Sequence, residues 1–192
     1  MLTNRIAGAF TFRREVYAEV EQDASFTSTA WVIVAVVSLL NQLGSLAGGT
    51  VTGFGDWIIG AILGTAFTVV GFALAAFVIN FVGRSIFKAQ VTFDELVRTL
   101  GLASVWNVIG FLGILGAISS ALVCIISPAL ILGAILGLIA WFVAVKEALD
   151  LEWLQTIITV VLGFIVVLIV NAVAALVLSI FGIVGAGLLG AL

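Results

Sequence analysis

The sequence predicts an all-α integral membrane protein with five transmembrane helices and an amphipathic juxtamembrane helix at its N-terminus. Hydrophobic residues make up 64% of the 192-residue chain and charged residues only 9%, whereas a soluble domain is about 25% charged. A soluble fold could not bury so much apolar side chain, so lipid is the expected solvent. Apolar runs long enough to cross a bilayer, which takes about 20 residues, recur along the chain between polar segments.

Residues 1–28 form a polar arm in which we expect an amphipathic helix. In FTFRREVYAEVEQD, Phe12, Val16 and Val20 fall at i, i+4 and i+8 and share one face of a helix, with Tyr17 beside it. Bases come first in this segment and acids last, the reverse of what the helix dipole favours. We therefore expect the arm to lie flat and its acids to dock on bases of neighbouring loops; a solvated interfacial helix is the alternative.

Residues 29–192 are expected to form a single membrane domain, whose first two spans are separated by a loop rich in glycine. Span 1 covers residues 29–47 and is followed by GGTVTGFGD, which predicts a flexible loop. Span 2 covers residues 57–83, with Asp56 as its expected N-cap.

The uncharged block from Thr99 to Val145 is too long for one crossing and long enough for two. Pro128, preceded by a serine, marks an expected helix start inside this block, because Pro is favoured at the first position of a helix and Ser at the N-cap. We therefore place span 3 at residues 99–117 and span 4 at residues 128–147.

Span 3 is entered through an amphipathic helix that starts in water. Thr92 and Glu95 have the spacing of a capping box, and Val91 and Leu96 hold the positions of a hydrophobic staple. Arg98 follows at the expected membrane boundary, where its long side chain can reach back to the surface.

The last apolar run, from Leu154 to Leu192, exceeds the length of one helix. We place span 5 at residues 154–181 and expect residues 182–192 to form a frayed or extended tail. A sixth segment in that tail is the alternative.

All seven Lys and Arg residues lie on one side of these five spans, in the arm and in residues 84–98 and 146–153, while the opposite side carries only Asp56. Because basic loops stay in the cytoplasm, the N-terminus is expected to be cytoplasmic. The same side carries the other nine of the ten acids, so its charge does not favour nucleic acid or anionic lipid. The candidate residues for an interaction face are Glu15, Glu19, Asp23, Arg84, Lys88, Asp94, Arg98 and Lys146.

The sequence contains no recognisable constellation for catalysis, for a cofactor or for a metal. There is no histidine, and the lone Cys124 is expected to pack as a small apolar residue. We therefore expect a protein that is not an enzyme and needs no cofactor. The spans carry no charge in their interiors, which disfavours an ion-coupled carrier.

Amide side chains remain as the polar groups within the spans. They either form hydrogen bonds between helices or line a polar path through a small transporter or channel, with Asn80, Asn107 and Asn171 along it. Pairs of glycines spaced by three residues favour close helix packing, within the bundle or in a homo-oligomer. The candidate intramembrane polar residues are Asn41, Asn80, Asn107 and Asn171, with Gln42 beside the first.

Three segments of the chain resemble the Yip1 family of multispanning membrane proteins. TFDELVRTLGLASVWNVIG resembles the segment that leads into the family's third span. REVYAEVEQD is similar to its juxtamembrane segment, and AVKEALDLEWLQTIITVVLG to its junction between spans 4 and 5. The chain departs from the family at Leu102, where an aromatic residue is usual, and at Trp106, where proline is usual.

The resemblance implies five spans, a cytoplasmic N-terminus and a role that is not enzymatic. Eukaryotic members of the family act in vesicle transport, bind small GTPases of the Rab type and each other, and help to shape membranes. Prokaryotic members have no established activity, and the brevity of this chain favours a prokaryotic plasma membrane. The expected partners are the lipid bilayer, a protein at the cytoplasmic face and a second copy of the chain, and not nucleic acid.

Overall fold

The computed structural model describes residues 2–47 and 53–180, in which every regular element is helical. Within these residues, five segments are long and apolar enough to cross a membrane, which confirms the predicted fold class. The elements are α1 (Leu2–Phe10), α2 (Arg14–Gln22), α3 (Phe26–Ala47), α4 (Phe54–Ser85), α5 (Phe93–Ala103), a 3₁₀ helix (Ser104–Ala117), α6 (Ser120–Leu149) and α7 (Trp153–Ile180).

Span 3, made of α5 and the 3₁₀ helix, lies at the centre of the bundle. The 3₁₀ helix packs between α3 and α6, α3 also packs on α4, and α7 packs chiefly on α4. The outward positions of α4 and α7 carry large apolar side chains such as Phe77, Phe81 and Leu168, as expected of helices that face hydrocarbon.

The 3₁₀ helix lengthens span 3. It rises about 2.0 Å per residue, so residues 104–117 reach about 28 Å, where an α-helix would reach about 21 Å. That length nearly matches a hydrocarbon core of about 30 Å. The same segment meets α3 backbone to backbone, because a Cβ added to Gly113 would lie 2.7 Å from the carbonyl oxygen of Gly44.

The arm contains two helices rather than one. α2 confirms the predicted amphipathic helix, with Val16, Tyr17 and Val20 buried, whereas α1 was not predicted. Phe12, which the sequence placed on the same stripe, lies in the turn between α1 and α2 with a φ of 53°. That left-handed conformation is unfavourable for a bulky residue, and aromatic packing on Trp106, described below, holds it there.

Span 4 starts earlier than the sequence predicts. α6 begins at Ser120, with Ser119 as its N-cap, and Pro128 lies inside the helix. Pro128 lacks the N–H that would bond the carbonyl of Cys124, and the Ser127 hydroxyl donates to that carbonyl instead, at 3.1 Å. A Ser-Pro pair can therefore continue a transmembrane helix. Cys124 is exposed rather than packed as predicted.

The other span limits differ less. α4 begins at Phe54 after Gly53, so Asp56 lies in its first turn and is not the N-cap. The start of span 3 is confirmed in detail, because Thr92 and Glu95 form the complete capping box. The loop was predicted at residues 48–56, but residues 54–56 form the start of α4. Residues 48–52 and the predicted tail, including the alternative sixth segment, lie outside the described residues.

Candidate interaction face

Three charged segments meet at one end of the bundle, which we call the charged face: residues 2–25, 84–98 and 146–153. α2 packs on α5 and on α6. The end of α4 meets the end of α6, since a Cβ on Gly83 would lie 2.9 Å from a methyl group of Leu149. The structure therefore brings together the three segments that hold every Lys and Arg of the chain.

Trp106 anchors the arm to the bundle. Its indole N–H donates to the carbonyl of Ala9 at 3.3 Å. The ring of Phe10 meets the indole edge-on at 5.0 Å between centroids, and the ring of Phe12 stacks on it at 5.3 Å. Such contacts combine a large buried area with one directional bond. Sequence analysis noted Trp106 only as a departure from the family pattern and missed this role.

Arg98 is the second anchor, and the prediction that it reaches the surface is wrong. The residue is only 6% exposed. Its guanidinium donates to the main-chain carbonyl of Glu21 and, at 3.2 Å, to the hydroxyl of Thr27. Glu21 lies in the last turn of α2, where backbone carbonyls lack helical partners and a positive charge is favourable.

This contact explains the unfavourable charge order of α2, whose last turn contains no base of its own. Arg98 supplies that base from α5, so the dipole of one helix is matched by a side chain of another. The arm therefore lies on span 3, through a partner that is a main-chain carbonyl rather than a carboxylate.

Glu19 of α2 and Asp23, the residue after it, pair with Arg5 of α1 rather than, as predicted, with bases of neighbouring loops. Arg5 contacts Glu19 at 2.7 Å and Asp23 at 2.8 Å. A third pair joins the arm to α6, between Arg14 and Glu147 at 3.5 Å. The first two pairs hold α1 against α2, and the third holds α2 against the bundle.

A charge exchange between Arg5 and Glu19 tests the first of these pairs. We expect Arg5→Glu or Glu19→Arg alone to raise the rate of proteolysis in the arm, and the double variant to recover part of the protection. Recovery should be partial, because Asp23 would then face a like charge. The effect on stability should be about 1 kcal/mol or less, since Glu19 is 56% exposed.

Glu15→Arg is the matched control, because Glu15 is exposed on the same helix and forms no ion pair within the described residues. If the double variant is digested as fast as the worse single variant, the assigned pairing is wrong.

Glu21 lies in a carboxylate-rich environment. Burial, followed by repulsion from Glu95, Asp150 and Glu147, raises its pKa, and attraction to Arg98 opposes the rise. The folded arm is therefore stabilised when this carboxyl is protonated. That stabilisation is complete below about 4.5, the ordinary pKa of the group, and is lost as the pH rises through the raised value.

We expect Glu21→Gln to slow proteolysis of the arm at neutral pH, because the amide carries no charge and the carbonyl bonded by Arg98 remains. The advantage over the native chain should shrink as the pH falls towards 4.5, the ordinary pKa of this carboxyl. If Glu21→Gln slows proteolysis equally at neutral pH and near pH 4.5, the ordinary pKa of this carboxyl, the charge of the side chain is not the cause.

The remaining residues predicted for the interaction face are either exposed or engaged in contacts within the chain. Lys146 is half-buried and closes the end of α6 by donating to the carbonyl of Leu151 at 2.9 Å, with the ring of Trp153 beneath its ammonium group. Lys88 is exposed and donates to the carbonyl of Ser85. The predicted face residues with exposed positions are Glu15, Glu19, Arg84, Lys88 and Asp94.

The amide of Asn41 in span 1 bonds the main chain of span 3. Asn41 donates to the main-chain carbonyl of Asn107 at 3.0 Å, and both line a cavity of about 260 Å³ beside Gly110 and Gly133. Gln42, the next residue along α3, donates instead to a threonine hydroxyl on α4. These bonds join neighbouring helices.

Asn80 and Asn171 lie elsewhere. Asn80 bonds the carbonyl of Val91 at 3.4 Å, at the charged face. Asn171 is exposed on α7 and bonds the carbonyl of Val167 in its own helix, at 2.9 Å. The cavity lined by Asn107 contains neither residue, so the three amides of the predicted path do not lie together.

Comparison with known proteins agrees with this architecture. The sequence pattern of the Yip1 domain matches residues 7–176, which include α2, the first four spans and most of α7. No curated protein and no solved structure shows a significant match. The family is linked to membrane trafficking. Because the match covers most of the chain, this protein belongs to the Yip1 domain family.

Proposed function

We propose that this protein is a non-enzymatic interaction or membrane-organising module, related to membrane trafficking, that acts through its charged face. The observation that carries the proposal is the docked arm. Trp106 and Arg98 hold it on span 3, and an ion pair holds it on α6. A surface that is already folded loses little entropy when a partner binds.

A protein partner fits the charge of this face better than lipid or nucleic acid. Its exposed charges have both signs. Glu15 and Asp94 are exposed acids, and Arg84 and Lys88 are exposed bases. A polybasic surface would be needed to attract anionic lipid or a phosphate backbone. Mixed charges instead favour a partner with a matching pattern.

We place the charged face in the cytoplasm, because it holds every Lys and Arg of the chain. We further propose a prokaryotic plasma membrane, on the apolar composition of the chain, of which 64% is hydrophobic and 9% charged. Transport through an amide-lined path has less support, since Asn80, Asn107 and Asn171 have separate surroundings.

Site-specific photo-cross-linking in native membranes tests the proposal. A photoreactive residue at Glu15 or Asp94 should give a discrete protein adduct, and Arg84→Glu should weaken that adduct by altering the charge pattern. The matched control places the photoreactive residue at position 56 instead. Asp56 is an exposed acid at the opposite end of α4 from Arg84. Equal adducts at both ends, or adducts at neither, would refute a specific interaction at the charged face.

A further inference from the structure

We propose that a second copy of this chain covers the outer face of α7, and that Asn171 of each copy forms hydrogen bonds with Asn171 of the other. The proposal concerns a surface distinct from the charged face. It rests on the exposure of Asn171, on its depth in the membrane and on the hydrogen-bonding capacity that its own helix leaves unused.

Asn171 is an exposed residue at the edge of the side of α7 that packs on the bundle. α7 packs on α4 and, less extensively, on α6. Phe164 and Leu168, which share the side of Asn171 by helical spacing, are 39% and 52% exposed. The side of α7 around Asn171 is therefore open to lipid.

The contact between α7 and α4 gives the depth of Asn171. A Cβ on Gly71 would lie 3.3 Å from a methyl group of Val170, the residue before Asn171. At about 1.5 Å per residue, Gly71 is roughly 20 Å from both Asp56 and Arg84, the charged residues near the two ends of α4. Asn171 is therefore close to the middle of the bilayer, far from the water at either surface.

An amide at that depth needs partners, whereas its apolar neighbours do not. The side chain of Asn171 has two N–H donors and a carbonyl acceptor. One donor bonds the carbonyl of Val167. The other donor and the acceptor have no hydrogen-bond partner among the described residues. Lipid tails offer none, and an unsatisfied polar group in hydrocarbon is costly.

A second copy of the chain meets this need by symmetry. A two-fold axis along the membrane normal brings the same residue of both copies to the same depth. Two carboxamides that face each other can form two reciprocal N–H to oxygen bonds, because each is both donor and acceptor. Ala175 lies one turn further on the same side of α7, and its small side chain permits close approach of the two helices.

The experiment uses the full-length protein, labelled with donor and acceptor dyes and reconstituted in phosphatidylcholine vesicles over a range of protein-to-lipid ratios. We expect energy transfer to report a dimer. Asn171→Leu should raise the dimer dissociation constant by about 5- to 30-fold, the effect of one or two interhelical hydrogen bonds in lipid. Asn171→Gln, which keeps the carboxamide, should retain a larger part of the association.

Val173→Leu is the matched control on the same exposed helix, and should change the dissociation constant less than twofold. Asn171→Leu should leave thermal unfolding in detergent unchanged, because the bond that the side chain forms among the described residues is within its own helix. Lost association would then not reflect misfolding. In a Cys124→Ser background, Leu168→Cys, one turn before Asn171 on the same side of α7, should form an intermolecular disulfide, and Ile139→Cys on the exposed side of α6 should not.

A native chain that stays monomeric at every ratio would overturn the proposal. So would an Asn171→Leu variant that associates as well as the native chain. Cross-linking through Ile139→Cys and not through Leu168→Cys would place the contact on another helix, and would equally refute the pairing of Asn171.

Discussion

Gly44→Ala should destabilise the bundle by about 3 kcal/mol, at the upper end of what overpacking costs. The added Cβ would touch the carbonyl oxygen of Gly110 and lie 2.8 Å from the Cα of Phe111. Both are backbone atoms of the 3₁₀ helix, so no side chain can rotate away. α3 would have to move off span 3, the element on which it packs most extensively.

Thermal unfolding in detergent, followed by circular dichroism, measures the effect. Gly55→Ala is the matched control, since a Cβ at that exposed helical position meets nothing within 4 Å. Alanine there should be neutral or stabilise by up to about 1 kcal/mol, because glycine is the poorer helix former. Equal destabilisation by the two substitutions would show that the contact with Gly110 is not the cause, because a Cβ at position 55 has no such contact.

The sequence was sufficient to predict those features of the fold that depend on neighbouring residues. Five spans follow from local hydropathy. The capping box at Thr92 and Glu95 follows from a spacing of three residues and is present in full. The meeting of three charged segments at one end follows from the alternation of spans across the bilayer.

Features that depend on a distant partner were missed or assigned wrongly. Pro128 suggested a helix start, but the Ser127 hydroxyl replaces the bond that the proline removes. Glu19 was expected to find a base on a loop and pairs instead with Arg5 of α1, a helix that was not predicted. Nothing near Trp106 in the sequence indicates that it contacts Ala9.

The prediction that Arg98 reaches the surface was also wrong, although the sequence of α2 indicated that a base should bind there. The last carbonyls of a helix lack partners within it, and the last turn of α2 has no base of its own, so a base from elsewhere was to be expected there. Locating that base required the packing of α2 on α5. The same is true of the amide side chains. The sequence shows that they lie in the spans, but it does not indicate which groups they bond.

Arg98→Met should release the arm, because it leaves the carbonyl of Glu21 and the hydroxyl of Thr27 without their donor. Loss of a buried hydrogen bond from a charged group costs about 1.5–3 kcal/mol. Relief of the burial of the guanidinium offsets part of that cost, since its Nε has no partner within the described residues. We expect a net loss of about 2 kcal/mol in arm docking, with the spans remaining folded.

Limited digestion with trypsin measures this release, because Arg13 lies in the turn between α1 and α2 and Arg14 begins α2. Arg98→Met should be cut there at least 10-fold faster than the native chain, the ratio that about 1.4 kcal/mol gives. Arg98→Lys should lie between them, since lysine keeps the charge but not the planar fork that reaches two acceptors.

Lys88→Met is the control for Arg98→Met, because Lys88 is exposed and its side chain bonds the carbonyl of Ser85, close by in sequence, rather than the arm. It should be digested at the native rate. If Arg98→Met is equally resistant, the arm is held by Trp106 and the ion pairs alone. The docked arm that supports the proposed function would then persist without Arg98. If instead only Arg98→Met releases the arm, the cross-linked adduct at Glu15 should disappear with it, because the exposed charges of α2 would no longer have fixed positions relative to Asp94.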